Sequence, residues 1–420
     1  MWDRLQRRPL LTYFVYRSLA LTWAFAPFQV IYLQWKGLSL AEVFDLNVVF
    51  SLSAVAFEVP TGVLADRYGR RVSMSAAGFV MALACALFVF GSHFWAFAAA
   101  NLLCALSMAL ASGADSAYLY DHLSATQQSQ TYTRLEGWST AAKGLGNLGA
   151  VLVGMALYQY VHPASVFVLT AVLTVAAGVI AMALPEARVR HDGHVADQLR
   201  RAFTTLRDDG RLLAVVSFGA ISFVLLRLSL FADQPHLQSH LHGAWLERTA
   251  LSLGALAAAK EIGGALVAGA SGAVLTRVRG RYLAFGLAVA LVGAYALMGE
   301  DRAVPCTAVM VLLASSFGLF SPLMRSLMNR IIEGPRDRAT LLSIEGMGRR
   351  LLFAAVSPVF GRAVEASTLH STFTGTAWVA SIAFAVLGVS AYLSFRLPAS
   401  PPVRRPSRPS RPSAVASVGY

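Results

Sequence analysis

Charged side chains stand inside stretches that are otherwise almost wholly apolar: Arg17, Glu58, Asp115 and Lys143 in the first half of the chain, and Arg227, Lys260, Glu261, Arg349 and Arg350 in the second. An ionised group in hydrocarbon costs at least ~2.5 kcal/mol on insertion scales, so each needs a counter-charge, a water-filled cavity or a proton. Three kinds of chemistry follow. Carboxylates at Glu58 and Asp115 can exchange a proton, because desolvation favours the neutral form and a nearby Lys or Arg favours the charged one. Cations at Arg17, Lys143, Arg227 and Lys260, with Glu261 beside the last, can hold a charged solute. Opposite charges can also only fix helices together, and for Glu58 a permanent bridge to Lys143 or Arg17 stands as the alternative to proton exchange.

Such residues must be carried by membrane-crossing elements, and the composition supplies them. Of 420 residues, 56% are hydrophobic and only 14% charged, too apolar for a water-soluble globule. Apolar runs long enough to cross roughly 30 Å of hydrocarbon as helices recur about twelve times. They fall near 10–35, 41–66, 72–92, 95–121, 134–160, 163–184, 211–238, 249–276, 281–299, 304–331, 340–365 and 371–395. At ~1.5 Å of rise per residue, Glu58 lies about 12 Å from the nearer membrane face, Asp115 about 9 Å, Lys143 about 13 Å and Arg17 about 10 Å. Four charges from four helices thus share one layer, which predicts the pairs Arg17 with Asp115 and Glu58 with Lys143. The same count puts Arg227 and Lys260 near the membrane middle and Arg349 and Arg350 somewhat lower.

Lys and Arg concentrate in alternate connections (Arg4, Arg7 and Arg8; Arg67, Arg70 and Arg71; Arg134; Arg188 to Arg211; Arg277, Arg279 and Arg281; Arg330, Arg336 and Arg338), while the opposite loops offer Lys36, Arg248 and Arg302. Basic residues stay on the cytoplasmic side, so both termini are expected there, in a bacterial-type inner membrane. The net charge of +13 then reflects topology and attraction to anionic lipids, and no nucleic-acid partner is expected. The basic N-terminus precedes an apolar run that is too long for a signal peptide and contains Arg17, so it reads as an uncleaved first helix. Cys85, Cys104 and Cys306 show no metal or disulfide spacing, and His236, His240 and His242 read as a solvated outer loop.

The chain repeats itself at half length. "GVLADRYGRR" begins at Gly62 and "GAVLTRVRGRY" at Gly272, an offset of 210 residues. The simple explanation is an all-α membrane protein of two six-helix bundles, 1–184 and 211–395. Between them, 185–210 is a polar linker with a short amphipathic helix through Val195, Leu199, Phe203 and Leu206, and 396–420 is a disordered Pro-, Ser- and Arg-rich tail.

"GVLADRYGRR" resembles the loop signature of the major facilitator superfamily, a Gly-x-Leu-Ala-Asp-Arg-x-Gly-Arg-Arg pattern between the second and third helices. With the twelve spans and the repeat, the resemblance covers essentially the whole chain. It implies two six-helix bundles, a monomer, and a cytoplasmic gate at Gly62, Asp66, Arg67, Gly69, Arg70 and Arg71, with Arg70 or Arg71 meeting Asp121 at the end of the fourth helix. The second copy carries Thr276 where Asp66 stands, which implies a weaker gate there. Glu58, Pro60, Asp66, Arg70 and Arg71 together resemble bacterial exporters that include atypical tetracycline pumps. "KGLGNLGAVLVG" in the fifth span is similar to an antiporter signature and lacks its proline. Gly144, Gly146, Gly149 and Gly154 in that span read as helix-packing positions, and Trp23, Phe25, Phe28 and Tyr32 as packing aromatics.

No nucleophile motif, Walker loop or metal-ligand spacing is present, so an enzyme or an ATP-driven pump is not expected. The expectation is secondary active transport of a small organic molecule by alternating access, driven by a proton gradient without a cofactor. Carboxylates would line one wall of a midplane cavity and cations the other, which suits an anionic or zwitterionic cargo. Proton-coupled export of a drug or metabolite stands first; uptake of an anionic nutrient by symport or uniport, and a transport-incompetent receptor or lipid-handling protein, are the alternatives.

Overall fold

The computed structural model describes residues 8–186, 209–240, 249–300, 303–332 and 335–396, and among them every regular element is helical. The expected linker and tail lie almost entirely outside the described residues, as do Arg248, Arg302 and His242. The first half comprises α1 (Pro9–Leu19), α2 (Gln29–Trp35), α3 (Leu40–Tyr68), α4 (Arg70–Phe90), α5 (Phe94–Ala111), α6 (Ala114–Ala125), α7 (Tyr132–Tyr160) and α8 (Ser165–Met182). The second comprises α9 (Gly210–His240), α10 (Thr249–Arg277), α11 (Gly280–Met298), α12 (Ala303–Ile331), α13 (Pro335–Ala366) and α14 (Leu369–Arg396). They make twelve legs in two six-leg bundles, because α1 with α2 and α5 with α6 each form one broken leg.

Ten of these legs are long and apolar enough to cross a membrane unaided. The two that are not are the interrupted first leg and α13, which carries Glu345, Arg349, Arg350, Arg362 and Glu365.

The first leg differs from the continuous helix that its composition predicts. Leu21 takes a left-handed backbone (φ 55°), and a 3₁₀ turn over Ala26–Phe28 holds Pro27, which has no N–H to give a helix. Broken backbone is tolerated at membrane depth only where protein satisfies the freed groups. Here Gln234 of α9 accepts from the Val30 amide at 2.9 Å and donates to the Ala26 carbonyl at 3.0 Å, and Asn147 of α7 accepts from the Trp23 amide at 3.2 Å. Around the break, Phe25, Phe28 and Tyr32 are buried and stack on Phe167, Tyr158 and Phe88.

The two halves meet along α3 with α13 and α7 with α10. The Ala41 amide donates to Glu365 at 2.9 Å, Ser357 donates to the Phe44 carbonyl at 2.8 Å, and Arg362 lies 3.5 Å from Asp45. These contacts sit at the far end from the loop Tyr68–Arg71. Beyond Glu58, on the side of that loop, Gly62, Val63, Leu64 and Tyr68 of α3 are exposed.

His236 lies inside α9, buried, with its ring against His370 at 5.3 Å and Phe373 at 5.5 Å, rather than in an outer loop, because α9 runs on to His240. Cys85 and Cys104 are buried free thiols.

Of the four glycines in the fifth span, Gly146 has the tightest surroundings: a Cβ there would stand 1.7 Å from the Ser18 carbonyl oxygen of α1, whereas one at Gly144 would meet nothing within 4 Å. Overpacking costs typically 1–3 kcal/mol. Gly146→Ala should therefore lower the melting temperature of the purified protein by several degrees while Gly144→Ala leaves it unchanged, as read by scanning fluorimetry.

Candidate functional site

In the first half two members of the charged layer close upon each other. Arg17 of α1 is ion-paired with Asp115, which stands in the first turn of α6 just after the break in the fourth leg, and both side chains are buried. Glu136 of α7 lies 3.9 Å from the other Arg17 nitrogen and accepts from Ser116 at 2.9 Å. Tyr13 donates to the Asp115 carbonyl at 3.1 Å. One guanidinium is thus held by two carboxylates from two further helices.

Glu58 does not meet Lys143. It receives Arg350 Nη1 of α13 at 2.6 Å, an ion pair that joins the two halves. The reason lies in azimuth: Glu58 is on α3, which packs on α13, and Lys143 is on α7, which packs on α10. Counting residues along a helix gives depth, and equal depth does not place two side chains on facing sides. On the other interface Asn147 donates to Glu261 of α10 at 2.9 Å, with Lys143 in electrostatic reach of that carboxylate. Glu58 and Arg350 are one third and about one quarter exposed.

Proline at position 60 shapes the helix around Glu58. It removes one amide from the ladder of α3. Next to it Thr61 donates to the Phe57 carbonyl at 2.7 Å and contacts the Ala109 carbonyl of α5 at 3.2 Å, tying this turn to its neighbour.

The second half carries more cations than acids. Arg349 is 3.4 Å from Glu345 and lies over the rings of Phe223 and Phe320 at 5.2 and 6.0 Å. Arg350, Glu58 and Arg325 are all within electrostatic reach of Arg349. Arg227 packs over Phe231 at 5.3 Å, and Arg350 is in its electrostatic range. Lys260 is ion-paired with Asp233 of α9 inside the same half. Both of those side chains are largely buried, so Lys260 is committed to a neighbour and is not a free cavity cation.

At the mouth of the first half, Gly69 links α3 to α4 with φ 104°, a backbone that favours glycine, and a Cβ there would stand 2.3 Å from the Glu186 carboxylate. Asp66 holds Arg70 at 2.7 Å, and Arg70 Nε lies 3.7 Å from Asp121. Arg71 instead pairs with Glu186, beyond α8, at 3.5 Å, and Arg67 lies over the Tyr68 ring at 5.5 Å. A Cβ at Gly62 would meet nothing within 4 Å. The cluster therefore holds the ends of α3, α4, α6 and α8 together within one half.

Glu136, Glu186, Asp233, Gln234, Arg325 and Glu345 were not singled out from the sequence. A signal for three of them existed: the 210-residue offset that relates Gly62 to Gly272 also relates Arg17 to Arg227 and Asp115 to Arg325, and an offset of 209 relates Glu136 to Glu345. Among the described residues no group of three metal-binding side chains occurs.

Residues 10–344 match the family model described as Major Facilitator Superfamily. The chain belongs to that family. It is therefore a multi-pass membrane transporter and not an enzyme. It is 34% identical over 89 residues, 21% of this chain and 22% of the relative, to the uncharacterized MFS-type transporter YxaM of Bacillus subtilis (strain 168). That match spans about a fifth of the relative's length. Among solved structures, the nucleoside transporter NupG in a mutant form superposes with a TM-score of 0.79 at 13% identity, over 92% of this chain and 99% of that one. A bacterial homolog of the human lysosomal transporter Spinster, inward-facing and unoccupied, gives 0.66 at 16% identity, over 94% and 97% of the two chains. These likenesses establish the fold.

Removing one member of a buried pair strands the other, at roughly 3–5 kcal/mol, whereas replacing both by apolar residues is often near neutral. Asp115→Asn should destabilise the protein strongly, and Arg17→Met combined with Asp115→Leu should recover part of the lost melting temperature.

Proposed function

We propose that this chain is a proton-coupled transporter of a small organic molecule in the cytoplasmic membrane, with both termini inside. Glu58 carries the coupling proton. The observation behind this reading is the Glu58–Arg350 pair, an acid and a base from opposite halves, both partly exposed. An ionised Glu58 holds Arg350 and a neutral one releases it, so the contact between the halves is tied to a proton. Asp115, buried and paired with Arg17, is assigned a structural role instead.

Direction follows from what the cargo does to this pair. A cargo that binds the ionised carboxylate competes with the proton, and exchange of the two across the membrane is export, as the resemblance of the Glu58–Pro60 motif to exporters suggests. A second reading has support of its own. A cargo anion that takes Arg350 leaves Glu58 without its counter-charge, so cargo and proton bind together, which is symport. The charges favour this second arrangement: Arg350 is paired with Glu58, Arg349 is within electrostatic reach of Glu58 and Arg325, and Arg227 is within reach of Arg350, with Glu345 as the other carboxylate in the group. The cargo is argued from these charges, since the solved neighbours share the fold alone.

Proteoliposomes with an internal pH dye separate the readings. A cargo that drives protons out as it moves in gives exchange; one that carries protons with it gives symport. In either case Glu58→Gln should reduce cargo-driven proton flux to background with the melting temperature retained. Equal flux in mutant and wild type would make Glu58 a structural partner only.

A further inference from the structure

We infer that the second-half wall contains a seat for the anionic group of the cargo, built on Arg227 and flanked by Arg349 and Arg350, and that the group is a carboxylate or phosphate attached to a flat apolar body. The word cargo rests on the transport reading above; the seat itself rests on the charges alone.

The argument comes from comparing the two halves of the repeat. In the first half Arg17 is neutralised by Asp115 and approached by Glu136. In the second half the equivalent positions are Arg227, Arg325 and Glu345. In sequence, an arginine stands at the position that carries the counter-ion in the first half. Glu345 is already engaged, 3.4 Å from Arg349 and buried. Among the described residues Arg227 has no carboxylate partner, and the charge acting on it is the like charge of Arg350. A cation at this depth beside another cation is unfavourable unless an anion joins them. The ligand anion supplies to Arg227 the counter-charge that Asp115 supplies to Arg17.

The surroundings fit the rest of such a ligand. Arg227 and Arg349 lie over the faces of Phe231 and Phe223, and both rings pack near Phe353 at 6.3 Å. Stacking fixes a guanidinium plane; Arg349 spends part of its fork on Glu345, whereas that of Arg227 remains for bidentate contact with a carboxylate or phosphate. The same rings offer apolar faces to a flat body. Competing cations are already taken: Lys260 by Asp233, and Arg17 by Asp115.

Binding to the full chain in nanodiscs, with no gradient, tests the seat by calorimetry. The probes are a panel of aromatic carboxylates and phosphate monoesters, each with an uncharged counterpart, such as 4-phenylbutyrate against 4-phenylbutanamide. Anions should bind at least ten-fold more tightly than their neutral partners, and Arg227→Gln should remove that preference while Arg227→Lys keeps part of it. Equal binding of acids and neutral partners across the panel, or an unchanged preference in Arg227→Gln, would overturn the seat. Anion binding without proton flux in proteoliposomes would leave the seat standing and remove the coupling role of Glu58. Proton flux driven only by cationic compounds, with no anion bound, would remove the seat and leave transport intact.

Discussion

A charge in hydrocarbon must be answered from within the protein, and the helices of this chain are arranged around those answers. Arg17 draws Asp115 and, at longer range, Glu136 toward α1, so three legs of the first half converge on one guanidinium. Asp233 and Lys260 do the same for α9 and α10. These pairs are shielded and belong to one half each, which makes each bundle a rigid unit. The Glu58–Arg350 pair differs on both counts: it is partly exposed and its partners belong to different units. A movement of one bundle against the other leaves the first kind of pair untouched and strains the second, so the chemistry that moves the protein is concentrated where the charges are least settled.

Backbone polar groups obey the same rule as side chains. The break in the first leg exposes amides and carbonyls that a continuous helix would have satisfied, and Gln234 and Asn147 satisfy them from α9 and α7. Gln234 belongs to the opposite half, so the broken leg is completed by the second bundle. Asn147 sits between the break and Glu261, joining the first leg to the other interface through a single amide side chain. Irregularity in one leg is thereby turned into contact between the bundles.

Hydrophobic run length was a sufficient guide to where the legs lie, because a membrane constrains length and polarity residue by residue. The interruption near Pro27 was hidden, since the run remains apolar through it and only the backbone shows the break. Depth was legible too, which is why Arg17 and Asp115 are found together. Azimuth was not: which face of α3 looks toward α13 depends on packing across the repeat, and the partner of Glu58 lies 292 residues away. Lys260 illustrates a further gap, since its neighbour in sequence, Glu261, drew attention from Asp233, its neighbour in space. The repeat itself contained the missing information for Arg325 and Glu345, whose importance appears only when their first-half equivalents have been seen in contact.

The polarity of α13 bears on how the protein is made. Its two arginines at 349 and 350, with Glu345 in the turn before them, raise the cost of entering lipid as a lone segment well above that of the neighbouring legs, at roughly 2.5–3.5 kcal/mol for a charge near the centre. The carboxylate that neutralises Arg350 is synthesised in the second leg, long before α13 leaves the ribosome. The order of synthesis thus puts the counter-charge in place before the polar leg that needs it.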